Sequence, residues 1–139
     1  MIEWRALSDV NYGVNTTIRY KPDRTVHGKP EYWQKPSETL KLGTGDCEDY
    51  AILKAHLLVK HHGADPNDMQ IVVVKEPGAK TLHAVLLARS TYTSGLLWWK
   101  KTHDCHYVLD NMRDDLVRWS KSSYELIAAH ACEKFFDVA

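Results

Sequence analysis

Between residues 43 and 51 the chain reads Gly-Thr-Gly-Asp-Cys-Glu-Asp-Tyr-Ala, and few folds accommodate that order. Glycines permit a backbone turn that is closed to other residues. Immediately after the turn, Ala51, Ile52, Ala55, Leu58 and Val59 recur at the i, i+3, i+4 spacing of a helix, and Gly63 closes it as a C-cap residue. Cys47 therefore sits near a helix N-terminus, where main-chain N–H groups and the helix dipole favour a thiolate. A thiolate is the nucleophile of cysteine catalysis. The carboxylates of Asp46, Glu48 and Asp49 act in the opposite sense, because like charge disfavours the thiolate. A nucleophile in this turn needs a nearby imidazolium, the helix start and a bound cation to outweigh them. Three acids within four residues are also hard oxygen ligands suited to Ca2+.

The bulk of the sequence narrows the setting. A length of 139 residues suits one core, so residues 1–139 read as a single domain. Lys+Arg and Asp+Glu balance at 18 each, which gives no basic excess for nucleic acid. No apolar run approaches the length of a membrane span, so no membrane insertion is expected. The start, Met1-Ile2-Glu3-Trp4-Arg5, lacks the layout of a signal peptide. The expected location is cytoplasmic as written, or periplasmic if a leader has been removed, and the expected state is a monomer. Cys47, Cys105 and Cys132 are odd in number and form no CxxC pair, which argues against a disulfide framework or a zinc site.

Periodicity predicts a first helix over residues 3 to about 14, carrying Trp4, Leu7, Val10 and Val14. Ile18 to Tyr20 reads as a short extended piece and Lys21-Pro22-Asp23 as a turn. Residues 21–37, with Pro22, Gly28, Pro30 and Pro36, read as a loop, and Ser37 to Leu40 as a brief helix. Beyond the cysteine helix, strands are expected at Met69 to Lys75, Leu82 to Arg89, Leu96 to Lys101 and His106 to Asp110. Tyr124 to Ala131 and Cys132 to Val138 read as one or two closing strands, or as a terminal helix. Helices followed by an antiparallel meander make an α+β fold with the cysteine helix packed on a sheet.

A cysteine nucleophile needs an imidazole within reach of sulfur and a third group to orient that imidazole. His83 opens the strand pattern His-Ala-Val-Leu-Leu, and Asp110 ends Tyr-Val-Leu-Asp, so one sheet end can carry both. His103 and His106 are rival bases and Asp104 a rival acid. With Cys105 they also resemble a metal cluster, although strand alternation lets only alternate members share an ion. Trp98 and Trp99 should point to opposite faces, one in the core and one available for substrate or partner. Trp33 or Gln34 is a candidate to assist the Cys47 N–H in an oxyanion hole, with packing as the alternative role. Asn111 reads as a turn residue after Asp110.

The blocks Tyr32-Trp33, Pro36 to Leu40, Gly43 to Ala51, His83 to Leu86 and Leu109-Asp110-Asn111 together resemble the bacterial transglutaminase-like cysteine proteinases of the LapG type, with a papain-like/transglutaminase-like fold. The resemblance runs from about Tyr20 to about Trp119, and its specific part is Gly-Asp-Cys-Glu-Asp-Tyr-Ala. It implies Cys47 as nucleophile, His83 as general base and acid, and Asp110 as orienting carboxylate. It also implies calcium supporting activity at Asp46, Glu48 and Asp49, and a protein or peptide substrate, a surface adhesin in family members. The stretch Ser90 to Cys105 is longer than the family pattern, which implies altered substrate contacts. Two alternatives use the same residues: acyl transfer to an amine by the same triad, and an inactive calcium-responsive binding module.

Overall fold

The computed structural model describes residues 1–22 and 32–137. The central part of the expected 21–37 loop, and Asp23 of the expected turn, lie outside the described residues. The first helix, α1, spans Trp4–Thr17 and buries Ala6, Leu7, Val10, Asn11 and Val14. Their spacing is that of one helical stripe, and the helix ends three residues beyond the expected end at residue 14. The chain then extends through β1, Arg19–Tyr20. A short helix, α2, runs over Pro36–Leu42, with Pro36 in the first turn where its missing N–H costs nothing. Gly43, at φ 68°, ends α2 in the left-handed region. β2, Thr44–Gly45, pairs in parallel with β1, Arg19 opposite Thr44 and Tyr20 opposite Gly45. The cysteine helix, α3, spans Cys47–His62 and stops at Gly63 with φ 64°, as its sequence predicts.

Five strands form the sheet: β3 (Met69–Lys75), β4 (His83–Ser94), β5 (Lys101–Leu109), β6 (Val117–Arg118) and β7 (Glu125–Ala131). Their order is β6-β5-β4-β3-β7, and every neighbouring pair is antiparallel. The first four make an antiparallel meander, as expected in kind though not in all its strands, but β7 returns to the far edge and pairs with β3. Period-2 alternation sorts the side chains between two covered faces. Ile71, Leu86, Ala88 and Leu109 face α3 and α1, packing with Leu7, Val10, Ile52, Leu53 and Leu58. Val72, Val74, Val85 and Val108 form a smaller cluster on the other face with Leu87, Trp119 and Tyr124.

Two expected strands are replaced. Leu96 to Lys101 is a turn, not a third strand: β4 continues to Ser94, and β5 begins at Lys101. Gly95 at φ 87° and Leu97 at φ 53° bend the backbone out of the extended region there. A Cβ on residue 95 would meet the Trp99 carbonyl oxygen at 2.5 Å, so the turn requires glycine. The β-propensity of Trp and Leu misleads at this tip because their side chains find no sheet face to cover. Cys132 to Phe135 is likewise a 3-10 turn rather than a closing strand. Cys132 is buried, with its thiol directed at the Pro66 carbonyl at 3.6 Å. Residue 138 lies outside the described residues.

Beyond Ala88 the β4–β5 hairpin leaves the sheet. Pairing of β4 with β3 stops at Ala88, and that of β5 with β6 at Tyr107, so residues 89–94 pair with residues 101–106 alone. At its base the arm is tied to the N-terminus, where the Ile2 N–H donates to the Arg89 carbonyl at 3.0 Å and the Ser90 hydroxyl donates to the Ile2 carbonyl. Further out, Tyr92 stacks on His103 with centroids 4.7 Å apart, and the Arg118 guanidinium lies 4.0 Å from the Tyr92 ring. Trp98 and Trp99 are both outside, 79 % and 68 % exposed, so neither belongs to the core. With His83 at one end of β4 and Ser94 at the other, the tip stands roughly 36 Å from His83 at the usual rise per strand residue. The arm's tip therefore stands well away from the sheet end that carries His83. Replacing both tryptophans by serine should leave the melting temperature within about 2 °C of the wild type, because exposed side chains away from the core rarely contribute. Scanning calorimetry checks this, and a larger drop would mean the tip is packed in solution.

Candidate active site

The nucleophile turn is built around Asp49. This side chain is fully buried. Its Oδ1 accepts the Gln34 N–H at 2.7 Å and its Oδ2 accepts the Asp46 N–H at 3.0 Å. The second bond belongs to a capping arrangement in which the third helical residue reaches back to the residue before the helix. Gly45 packs directly on it, where a Cβ would come within 2.7 Å of the Asp49 Cβ. Gly-Asp-Cys-Glu-Asp is thus a steric and hydrogen-bonding unit that fixes where α3 starts, and hence where Cys47 stands.

At the opposite wall, His83 is the first residue of β4 and Asp110 the first residue beyond β5. Leu86 pairs with Leu109, so the start of β4 and the end of β5 share one sheet end. His83 Nε2 lies 2.8 Å from Asp110 Oδ1. Asp110 is almost wholly buried, and its carboxylate also accepts the Tyr124 hydroxyl at Oδ2 and the Met112 N–H at Oδ1, the latter at 3.0 Å. The backbone of Ala84, the residue after His83, adjoins the Cys47 sulfur closely enough to favour its thiolate. The start of α3 thus lies beside the start of β4, where His83 pairs with Asp110. An open groove beside them is lined by Tyr20, His83, Asn111 and Met112.

Comparison with known sequences agrees with this arrangement. The family model for the bacterial transglutaminase-like cysteine proteinases matches residues 2–135. The chain belongs to this family. Its fold is that of Legionella pneumophila LapG: one structure of that protein matches with a TM-score of 0.68 at 24 % identity, over 90 % of this chain and 63 % of the other. LapG in calcium-bound form gives a TM-score of 0.69 over the same shares, and in EGTA-treated form 0.69 over 91 % and 62 %. The UPF0252 protein PH1321 of Pyrococcus horikoshii is 36 % identical over 81 residues, 58 % of this chain and 22 % of that protein. The chain thus spans less than two thirds of the length of each of these relatives.

For a family of cysteine proteinases, the electrostatics of the resting thiol are unexpected. Burial pushes the Cys47 thiol up strongly, the Glu48 and Asp46 charges add to the rise, and the Ala84 N–H offsets only part of it. The thiol donates to Glu48 Oε2 at 3.4 Å. The favourable helix start expected from the sequence is outweighed, and the resting sulfur carries its proton. Asp110 behaves differently. Burial alone would raise its carboxyl, but the hydrogen bonds from His83, Tyr124 and the Met112 N–H hold it below the ordinary carboxylate range. Its contribution to stability is accordingly complete above that range and is lost as the pH falls through the lowered value.

The other sequence expectations divide. Among the described residues no three His, Cys, Asp or Glu side chains are grouped so as to hold a metal ion. Asp46, Glu48 and Asp49 accordingly do not form the expected three-carboxylate collar: Asp49 is turned inward onto main-chain N–H groups, and Glu48 lies on the thiol. The rival set sits on the arm, where His103 bonds Ser94 at 2.7 Å and Asp104 meets Arg89 at 3.4 Å. Neither candidate oxyanion helper is free for that role. Trp33 packs on Phe135 and His130, with centroids 4.7 and 5.5 Å away, and Gln34 is buried with its amide between Thr44 and Thr39.

Three supporting residues escaped the sequence reading. Tyr124 lies in a stretch with no motif and meets Asp110 only through the return of β7. Asn11 and Asn15 on α1 donate to the segment after β5: Asn15 to the Asp110 carbonyl at 2.9 Å, Asn11 to the Arg113 and Asp114 carbonyls at 2.9 and 3.1 Å. Their signal is an i, i+4 pair of amides beside an apolar stripe, where Asn is otherwise a poor helix residue. Substituting Glu48→Gln removes one charge beside the thiol and should lower its pKa. At neutral pH iodoacetamide should then label Cys47 about tenfold faster, the equivalent of one pKa unit. Peptide mapping of the labelled protein measures this, and unchanged labelling would reject the electrostatic account.

Proposed function

We propose that residues 1–139 act as one peptidase unit that hydrolyses peptide bonds through Cys47, His83 and Asp110. The observation that carries the reading is the pairing of His83 Nε2 with a deeply buried Asp110, beside which the backbone of Ala84 adjoins the Cys47 sulfur. With Nε2–H donated to Asp110, the imidazole presents Nδ1 as the base. His83 takes the thiol proton as sulfur attacks the peptide carbonyl. The imidazolium then gives that proton to the leaving amine, and an acyl-enzyme remains. Water, deprotonated by His83, attacks the thioester and releases the acid and the thiol. Because the resting thiol is protonated, deprotonation belongs to the attack rather than preceding it. The N–H of Cys47, in the first turn of α3, has no partner within the helix and faces the developing oxyanion. The groove lined by Tyr20, Asn111 and Met112 receives the substrate chain.

Calcium enters as a supporting ion. Of the three acids, Asp46 and Glu48 flank Cys47 and raise its pKa, whereas Asp49 serves the turn. Asp46 and Glu48 would hold a divalent cation, which would supply positive charge where the thiol lacks it. The existence of Legionella pneumophila LapG in a calcium-bound form supports this reading. Calorimetric titration with CaCl2 should show binding that disappears in a Glu48→Gln variant. Absence of heat and of thermal stabilisation would remove calcium from the account.

Cys47→Ala should reduce cleavage of a denatured protein substrate by at least about a thousandfold while leaving the far-UV circular dichroism unchanged. Retained turnover would overturn the triad. Incorporation of a labelled amine into a glutamine-containing peptide, without cleavage, would redirect the same chemistry to acyl transfer.

A further inference from the structure

Lys54 has no role in the chemistry above, and its surroundings are unusual. It is fully buried, among the largest buried side chains of the molecule. A buried ammonium is costly unless it is compensated. Its Nζ donates to Asn11 Oδ1 at 2.7 Å and lies 5.8 Å from the centre of the Tyr50 ring. The charges facing it are those of Asp110 and Asp114, both on the segment that follows β5. Position 54 follows Cys47 by seven residues, two helical turns, so it lies on the same side of α3 and roughly 10 Å deeper.

Asn11 passes the contact on. While its oxygen accepts Lys54, its amide nitrogen donates to the carbonyls of Arg113 and Asp114. Asn15, one turn along α1, holds the Asp110 carbonyl itself. The main chain of the Asp110 turn is thus hung from α1, and α1 is tied at that point to a cation rising from the nucleophile helix. A purely structural lysine could end on any helix or sheet carbonyl. This one ends on Asn11, whose amide nitrogen holds the segment that carries the acid of the triad.

We propose that Lys54 is a positioning residue, which through Asn11 and by its own charge fixes the Asp110 turn where the Asp110 carboxylate can hold His83. The proposal rests on the peptidase reading and adds a link between the nucleophile helix and the orienting acid. Burial lowers the Lys54 pKa to about 7, with the Asp110 and Asp114 charges opposing the fall. The folded chain therefore releases a proton that the unfolded chain keeps between about pH 7 and the ordinary lysine range. Stability contributed by this site rises with pH across that window, as the ammonium that burial penalises is lost from the fold.

The test compares wild type with Lys54→Met, which matches the length of the stem without charge or donor. Three readouts are taken: the downfield NMR signal of the His83–Asp110 hydrogen-bond proton, kcat and KM on a denatured protein substrate, and urea unfolding from pH 6 to 10. The variant should shift or broaden the proton signal, lower kcat at least about tenfold with KM within about twofold, and lose the rise of stability with pH. A folded variant with a wild-type proton signal and wild-type kcat overturns the proposal. If Lys54→Met does not fold, Lys54→Gln, which keeps a donor for Asn11, is judged by the same readouts, and wild-type behaviour overturns the role of charge. The NMR and unfolding measurements need no substrate. A moved proton signal in a protein that cleaves nothing would sink the peptidase reading alone, whereas cleavage unaffected by Lys54→Met would sink the positioning role alone.

Discussion

One buried carboxylate sets the geometry of the whole site. Asp49 lies out of water and is held there by main-chain N–H groups from the turn before α3 and from the segment before α2. A carboxylate so placed is tolerable only while those donors stay aimed at it. The requirement runs both ways. The donors fix the path of residues 34 and 46, and the carboxylate fixes the first turn of the helix that carries the thiol. Gly45 closes the arrangement by leaving no room for a side chain against it. Asp110 plays a matching part at the sheet end, where three donors converge on one carboxyl. Two acids, neither exposed, hold the two walls between which sulfur and imidazole meet.

A conflict is built into the nucleophile. The sequence that positions Cys47 surrounds it with negative charge, and the structure adds burial, so the thiol is held in its protonated form. Such a thiol is a poor nucleophile in isolation and depends on its neighbours at the moment of attack. In the proposed mechanism the imidazole held by Asp110 answers that need by taking the proton as the bond to carbon forms. Reactivity is in this way assigned to the assembled site rather than to the cysteine.

Much of this was legible in the sequence because it depends on local rules. The glycine stops at Gly43 and Gly63, the apolar stripe of the cysteine helix and the alternation of β3 follow from backbone sterics and periodicity, which short windows carry. The ordered blocks around Cys47, His83 and Asp110 located the site. What was missed depends on long-range pairing. Nothing near Tyr124 announces that β7 crosses back to β3 and brings its hydroxyl to Asp110. Leu96 to Trp99 reads as a strand because its residues favour strands, yet no sheet face lies there to receive them. The acids beside the thiol part for a related reason: proximity in sequence groups Asp46, Glu48 and Asp49, whereas the helix start turns Asp49 inward onto main-chain N–H groups and Glu48 toward the thiol.

The parts of the site arrive late in the chain's assembly. Cys47 stands at a helix start, His83 opens a strand, and Asp110 ends the next, with its turn suspended from a helix near the N-terminus. No contiguous fragment contains them together in place. A partly folded chain holds a protonated thiol and a histidine with nothing to orient it, and so is inert toward itself and its neighbours. The closed sheet and the docked α1 together hold these parts in place. Local loosening of the Asp110 turn would silence it again with the nucleophile untouched.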